Sequence, residues 1–280
     1  LTVIGGWFFT AACAFLASFL IASLIFFGKL PVILILISLS IFILLRTHAF
    51  HKKRSEKQEA EDSRMITASY LVINTCEDEV RSTIEKVSDI LYPLYGSFFK
   101  ENYKEMRNLR KQVKQLRKDV KEIRQKMPST LKKFRDSEIE SGHHYVQVVD
   151  YLKETTDALY HIIQPAFEHL RNNHPVDREQ EEAFEVFIDK TGKFFDSAVH
   201  MLKNRDFDTE DELNQHRDEL IQLINEILVN RIKILKRTQK GVKLSITYID
   251  MLTETRNLLL HVSHLVRANG LLIKNMDSED

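Results

Sequence analysis

Apolar residues fill the start of the chain without interruption, then give way to spaced apolar positions among charges. Thr2 to Gly28 carries no charged residue. Such a run exceeds the roughly 20 apolar residues that cross a bilayer core. Gly28-Lys29-Leu30-Pro31 reads as a tight break, with Pro31 suited to the first turn of a following helix. A second apolar run follows from Pro31 to Leu45, extending to Phe50 if Arg46 and His48 snorkel. The pattern predicts two membrane spans. Trp7 fits an interfacial anchor or an ordinary lipid-facing position.

Beyond the linker His51–Arg64 the periodicity becomes helical. Six helices are predicted: Met65–Leu91, stopping near Pro93; Phe98–Met127, before Pro128; Ser129–Asn172, before Pro175; Val176–Asn204; Thr209–Lys240; and Gly241–Ile273. Thr209 with Glu212 reads as a capping box. The second helix has an a/d seam at Met106, Leu109, Val113, Leu116, Val120, Ile123 and Met127. Alternating steps of three and four mark antiparallel bundle or coiled-coil packing.

Composition sharpens this division. No Asp or Glu occurs before Glu56, so the formal net charge of zero averages two unlike segments. Eight Gly and five Pro favour long helices with few turns. Cys13 and Cys76 lie in unlike contexts, which argues against a disulfide. Arg46, Lys52, Lys53, Arg54 and Lys57 follow the second run, whereas Lys29 alone lies between the runs. The positive-inside rule then places the charged part in the cytoplasm. The apolar opening lacks a basic leader and a cleavage motif, so a signal peptide fits poorly; a piece of a longer membrane protein fits better.

The second helix, with its approach, carries eleven Lys or Arg and four acids. This is either a solvated bundle face or a patch for anionic membrane lipid. Aromatic interleaving is missing, so nucleic acid is not an expected partner. Nothing resembles a catalytic motif: there is no Gly-rich phosphate loop, nucleophile motif or zinc spacing. The chain is not expected to be an enzyme.

The charged part repeats at a shift of 100 residues. DYLKETTDALYHI, from Asp150, and DMLTETRNLLLHV, from Asp250, share Asp, Leu, Glu, Thr, Leu and His in register. Ile84, Val87, Leu94 and Tyr95 meet Phe184, Phe187, Phe194 and Phe195. Val113, Val120, Ile123 and Met127 meet Leu213, Leu220, Leu223 and Ile227. Two related three-helix units are therefore expected in tandem.

The same shift gives four acid pairs four residues apart: Glu85/Asp89, Glu185/Asp189, Asp150/Glu154 and Asp250/Glu254. At this spacing two carboxylates share one helix face and repel unless a cation compensates. Asp157 and His161 join the first stripe; the second keeps His261 but has Asn257 in place of the acid. A divalent cation such as Mg²⁺, Mn²⁺ or Fe suits carboxylate oxygens. A plain amphipathic helix also has a polar stripe, and that reading stands beside the metal one.

These residues resemble a PhoU-type domain, which implies metal binding through Glu/Asp-x-x-x-Asp motifs and regulation of phosphate uptake. GHHYVQVVDYLKETTDAL and KLSITYIDMLTETRNLLLHV carry most of that likeness. VIGGWFFTAACAF, with the apolar stretch after it, resembles the C-terminal end of PiT-type inorganic phosphate transporters. Some bacterial members of that family carry a PhoU-like cytoplasmic tail. The resemblance implies an all-α chain: a transmembrane hairpin over 1–50, a basic juxtamembrane linker over 51–64, and PhoU-like repeats over 65–175 and 176–280. It further implies a multi-pass protein of the bacterial inner membrane, moving inorganic phosphate with Na⁺ or H⁺. Glu85, Asp89, Glu185 and Asp189 match the metal motif; Asp150/Glu154 and Asp250/Glu254 end in Glu instead of Asp. Homo-oligomerisation is a further expectation. The competing reading is a membrane-anchored helical scaffold or signalling protein without transport activity.

Overall fold

A computed structural model describes residues 2–176, 181–237 and 241–277, and among these every element is helical. The order is α1 (Thr2–Phe99), α2 (Tyr103–Leu131), α3 (Ile139–Arg171), α4 (Glu181–Asn204), α5 (Glu210–Arg237) and α6 (Val242–Asp277). Short 3₁₀ turns at Asp136–Glu138 and Phe207–Thr209 precede α3 and α5. The chain divides into two compact units, 1–64 and 65–280.

In the first unit, Phe9–Phe27 is long and apolar enough to cross a membrane. Its large side chains face outward; Phe26 and Phe27 are 78% and 84% exposed. An apolar helix exposed all round needs an apolar surround. The expected break at Gly28–Pro31 is helical, and so is His51–Arg64. Pro31 removes one donor, while the rest of the helix continues through it. Residues 51–64 are rich in Lys, Glu, Gln and Ala, all good helix formers. The side chains of the second apolar run, 31–45, lie largely outside the described set.

The second unit holds one core. Val80, Ile84, Val87, Leu94 and Phe98 of α1 are fully buried, with Phe187 and Phe194 of α4. Tyr95 meets Phe187 edge-on at 5.7 Å, and Phe98 meets Tyr248 of α6 at 5.7 Å. α1 does not stop at Pro93 as expected. The missing proline donor opposes the helix, but the turn beyond it buries Leu94, Tyr95, Phe98 and Phe99. Likewise α2 runs through Pro128 and α3 through Pro165. α3 begins at Ile139, ten residues later than the sequence suggests.

Helix pairing is α2 against α3, α3 against α6, and α6 against α5. α3 and α6 run antiparallel: Tyr151 stacks on His264 near one end, and His169 bonds to Thr247 near the other. α2 buries Met106, Leu109, Val113, Leu116 and Val120, the expected seam. Asn102 caps it by accepting from the Glu105 amide at 3.2 Å.

The turns fix the true register of the repeat. Glu101 (φ 52°) and Arg205 (φ 53°) end α1 and α4 in the left-handed region. The next residue of each turn donates back five positions: Asn102 to Ser97 at 2.8 Å, Asp206 to Met201 at 3.1 Å. This is the Schellman closure of a helix end. The two turns lie 104 positions apart, not 100. At that offset the buried Leu109, Leu116 and Val120 correspond to the buried Leu213, Leu220 and Ile224. A shift of 100 or 104 differs by about one helical turn, so apolar periodicity alone fits both.

Candidate functional site

The polar stripes of α3 and α6 are the region where the sequence concentrates its chemistry. α3 needs its apolar stripe for the core: Leu152, Leu159, Ile162 and Ile163 are fully buried. The remaining face carries Asp150, Glu154, Asp157 and His161.

α2 meets the edge of this face with three arginines seven residues apart. Arg110 Nε donates to Gln164 Oε1 at 2.8 Å, and its guanidinium lies 4.3 Å over the Phe167 ring. Arg117 Nε donates to Asp157 Oδ1 at 2.7 Å, with the guanidinium 4.2 Å over Tyr160. Arg124 pairs with Asp150 at 3.5 Å. The partners on α3 are also seven apart and run in the opposite direction. Asp150 and Asp157 therefore act as rungs of an α2–α3 ladder, with charge and cation–π contact on one guanidinium.

Lys153 closes the rest of the first stripe. Its Nζ donates to Glu154 at 2.7 Å and lies 3.1 Å from Asp157. The Glu154 bond, then the Asp157 bond, raises the lysine pKa. Burial pushes the Asp157 carboxyl up, but Lys153 and Arg117 more than offset it and the pKa is lowered. Three cations thus serve Asp150, Glu154 and Asp157.

The second stripe is built differently. Thr253 stands where the repeat has Lys153, and α5 offers Asn214, Ile221 and Leu228 at the ladder positions 104 residues on. Asn257 replaces the aspartate whose arginine is also missing. Burial, and then the nearby Glu254 charge, raises the Asp250 carboxyl pKa. Glu254 accepts a long bond from Asn257 at 3.4 Å.

His261 lies where the two stripes approach each other. Its ring is half-buried, and its Nδ1 has no hydrogen-bond partner among the described residues. Burial lowers its pKa, opposed by Glu154 of α3 and Glu254 of its own helix. The antiparallel register that sets Glu154 against His261 sets His161 level with Glu254. Glu154 thus lies close enough to His261 to act on its charge, while His161 is exposed.

The remaining predicted acids stay apart. Glu85 and Asp89 are exposed on α1. Asp89 shares a cavity of 370 Å³ with Lys86, Gln112, Gln115 and Asp119. Asp189 accepts from Lys193 at 2.8 Å and borders a separate cavity of 440 Å³ with Tyr92, Ser97 and Lys100. The Glu185 side chain lies outside the described residues. Among the described residues no three His, Cys, Asp or Glu side chains gather as metal ligands. In the first stripe Arg117, Arg124 and Lys153 supply positive charge to the carboxylates from within the chain. Asp250/Glu254 is the pair whose own repulsion is left in place.

The arginine ladder and Lys153 are what a search for acids passes over. Their signal was the seven-residue spacing of Arg110, Arg117 and Arg124, together with the joint loss of Arg117 and Asp157 in the second repeat. No protein-family model matches the chain, and no curated protein matches it.

Proposed function

We propose that this chain is the C-terminal part of an ion-coupled inorganic phosphate transporter, with residues 65–280 as a PhoU-like regulatory bundle on the cytoplasmic side. The observation that carries the reading is the joining of two unlike solvents in one chain. Phe9–Phe27 exposes apolar side chains all round, as a lipid-embedded helix does. Residues 65–280 bury a complete core of their own and expose a charged surface. The resemblance of VIGGWFFTAACAF to the transporter end, and of the α3 and α6 segments to PhoU-type helices, supplies the phosphate assignment. On this reading the apolar first fifty residues sit in the bacterial inner membrane among further spans, and Na⁺ or H⁺ drives uptake. The bundle is a regulator and not an enzyme. It acts by which partner surface it engages, since its first stripe is organised by ion pairs.

The test is uptake of radiolabelled phosphate by cells carrying the whole reading frame that contains this chain. Uptake that depends on the frame, and whose rate changes when the chain is cut after Arg64, is the expected result. A frame that moves no phosphate overturns the transporter assignment and leaves the membrane-anchored scaffold.

A further inference from the structure

The outer face of α2 is cationic, and three of the six corresponding positions on and just before α5 are acids, the other three neutral amides. On α2, Lys104, Arg107, Lys111, Lys114, Lys118 and Lys121 are all exposed and recur in steps of three and four. They form a straight stripe about 25 Å long at 1.5 Å per residue. The stripe lies opposite the buried seam of Met106, Leu109, Val113 and Leu116. At the structural offset of 104, α5 and the turn before it present Asp208, Asp211, Gln215, Asp218, Gln222 and Asn225, again all exposed. Glu212, Glu219 and Glu226 flank this second stripe and are exposed too.

The α2 stripe is a liability in an isolated molecule. Like charges three and four residues apart on a helix repel. The ion pairs near these faces are surface ones: Lys118 with Glu122 at 4.0 Å, Asp218 with Arg217 at 2.8 Å, Asp208 with Lys274 at 3.7 Å. Such pairs are weak and exchange readily. Lys118, Asp218 and Asp208 keep 68%, 66% and 96% of their side-chain surface open.

From this complementarity we infer that copies of the chain associate head to tail, the cationic face of α2 on one copy docking on the anionic face of α5 on the next. The pairing order α2–α3–α6–α5 puts the two faces on opposite flanks of the bundle. One contact therefore leaves an unused face of each kind, and the assembly is a row or a ring, not a closed twofold pair. The matched stripes also steer the approach of the second copy.

The experiment uses the full chain in neutral detergent micelles, with Cys13→Ser and Cys76→Ala as background. Chains bearing Lys114→Cys and chains bearing Asp218→Cys are mixed and treated with a short thiol cross-linker. Cross-linked dimer is expected from the mixture and not from either chain alone. Salt near 0.5 M, where the Debye length falls to about 4 Å, suppresses it. Lys111→Glu/Lys114→Glu/Lys118→Glu weakens association at least about tenfold by turning attraction into repulsion. Adding Asp211→Lys/Asp218→Lys to that same chain restores association, which a merely misfolded variant does not do. A chain that stays monomeric at low salt overturns the inference. So does association unchanged by the triple reversal.

Discussion

The first repeat, Met65 to Arg171, and the second, Glu181 to Asp277, share a skeleton and differ in what holds it. Both end their first helix in a left-handed residue, Glu101 or Arg205, followed by the same backward hydrogen bond. Both bury matching leucines on the second helix. In the first repeat the second helix is strapped to the third by Arg110, Arg117 and Arg124. In the second repeat those positions hold Asn214, Ile221 and Leu228. The corner after each first helix differs in the same spirit. Tyr103 stacks on Phe167 at 5.4 Å. Phe207 instead lies against Gly270, where a Cβ would sit 2.8 Å from the ring. The backbone template is held constant, and each copy then solves edge packing on its own, by charge in one case and by close apolar contact in the other.

The largest effect expected within this comparison is at the middle rung of the ladder. Arg117→Ala removes a charged hydrogen bond to Asp157 and the contact over Tyr160. Hydrogen bonds to charged groups contribute about 1.5–3 kcal/mol. Arg117 is 35% exposed and Asp157 22%, so solvent screening reduces this to about 1–2 kcal/mol. Chemical unfolding of the full chain in detergent measures it. Asp157→Asn in the Arg117→Ala background should then cost less than Asp157→Asn alone, because only the Lys153 contact is left to lose. Additive losses would break the ladder as an explanation.

The sequence was most legible where one physical requirement dominated. The α2 seam satisfies both helix period and burial: its first five positions are buried, and Ile123 and Met127 pack partly buried against the core. The apolar run at Phe9–Phe27 was equally plain. Prolines misled: Pro93 and Pro128 read as stops, yet both helices run on, and past Pro93 the burial of Leu94, Tyr95, Phe98 and Phe99 outweighs one missing donor. The repeat offset misled by about one turn, since only the turn at Arg205 distinguishes 104 from 100 and it carries no glycine. The acid stripe was visible but its partners were not. A carboxylate pair announces a cation without saying whether it is a metal or a guanidinium, and Arg117 comes from a helix forty residues away.

Histidines give the comparison a pH axis. His169 in the first repeat is buried, its ring nitrogens bonded to Pro175 O and Thr247 Oγ1 at 3.2 Å each. Burial lowers its pKa from 6.5, and His174 adds to this, against the Pro175 bond and Glu101. His261 and His264 of the second repeat are also lowered, chiefly by burial. A histidine with a depressed folded pKa is neutral in the native state while the unfolded chain still takes up a proton. Stability is then full above the unfolded value near 6.5 and falls as pH drops below it. Melting from pH 7.5 to 5.5 should lower Tm by roughly a few degrees. His169→Asn should flatten this slope while lowering Tm at pH 7.5. A slope that is unchanged in His169→Asn would leave the dependence to the second repeat.

The smallest contrast isolates a single hydroxyl. Thr255 donates to Met251 O at 2.8 Å and meets the Tyr95 hydroxyl at 2.5 Å inside the core. Thr155, equally buried, has no partner for its Oγ1 among the described residues. The repeat accounts for the difference: at the offset set by the turns Tyr95 corresponds to Val199, which has no hydroxyl to offer Thr155. Thr255→Val removes the hydroxyl that meets Tyr95 and should cost about 1–2 kcal/mol. Thr155→Val removes a buried polar group that makes no bond, and should be neutral or stabilising by a few tenths of a kcal/mol, about the scale of desolvation relieved. Equal losses at the two threonines would mean that Thr155 has a partner of its own, and the repeats would then be symmetric at this depth of the core as well.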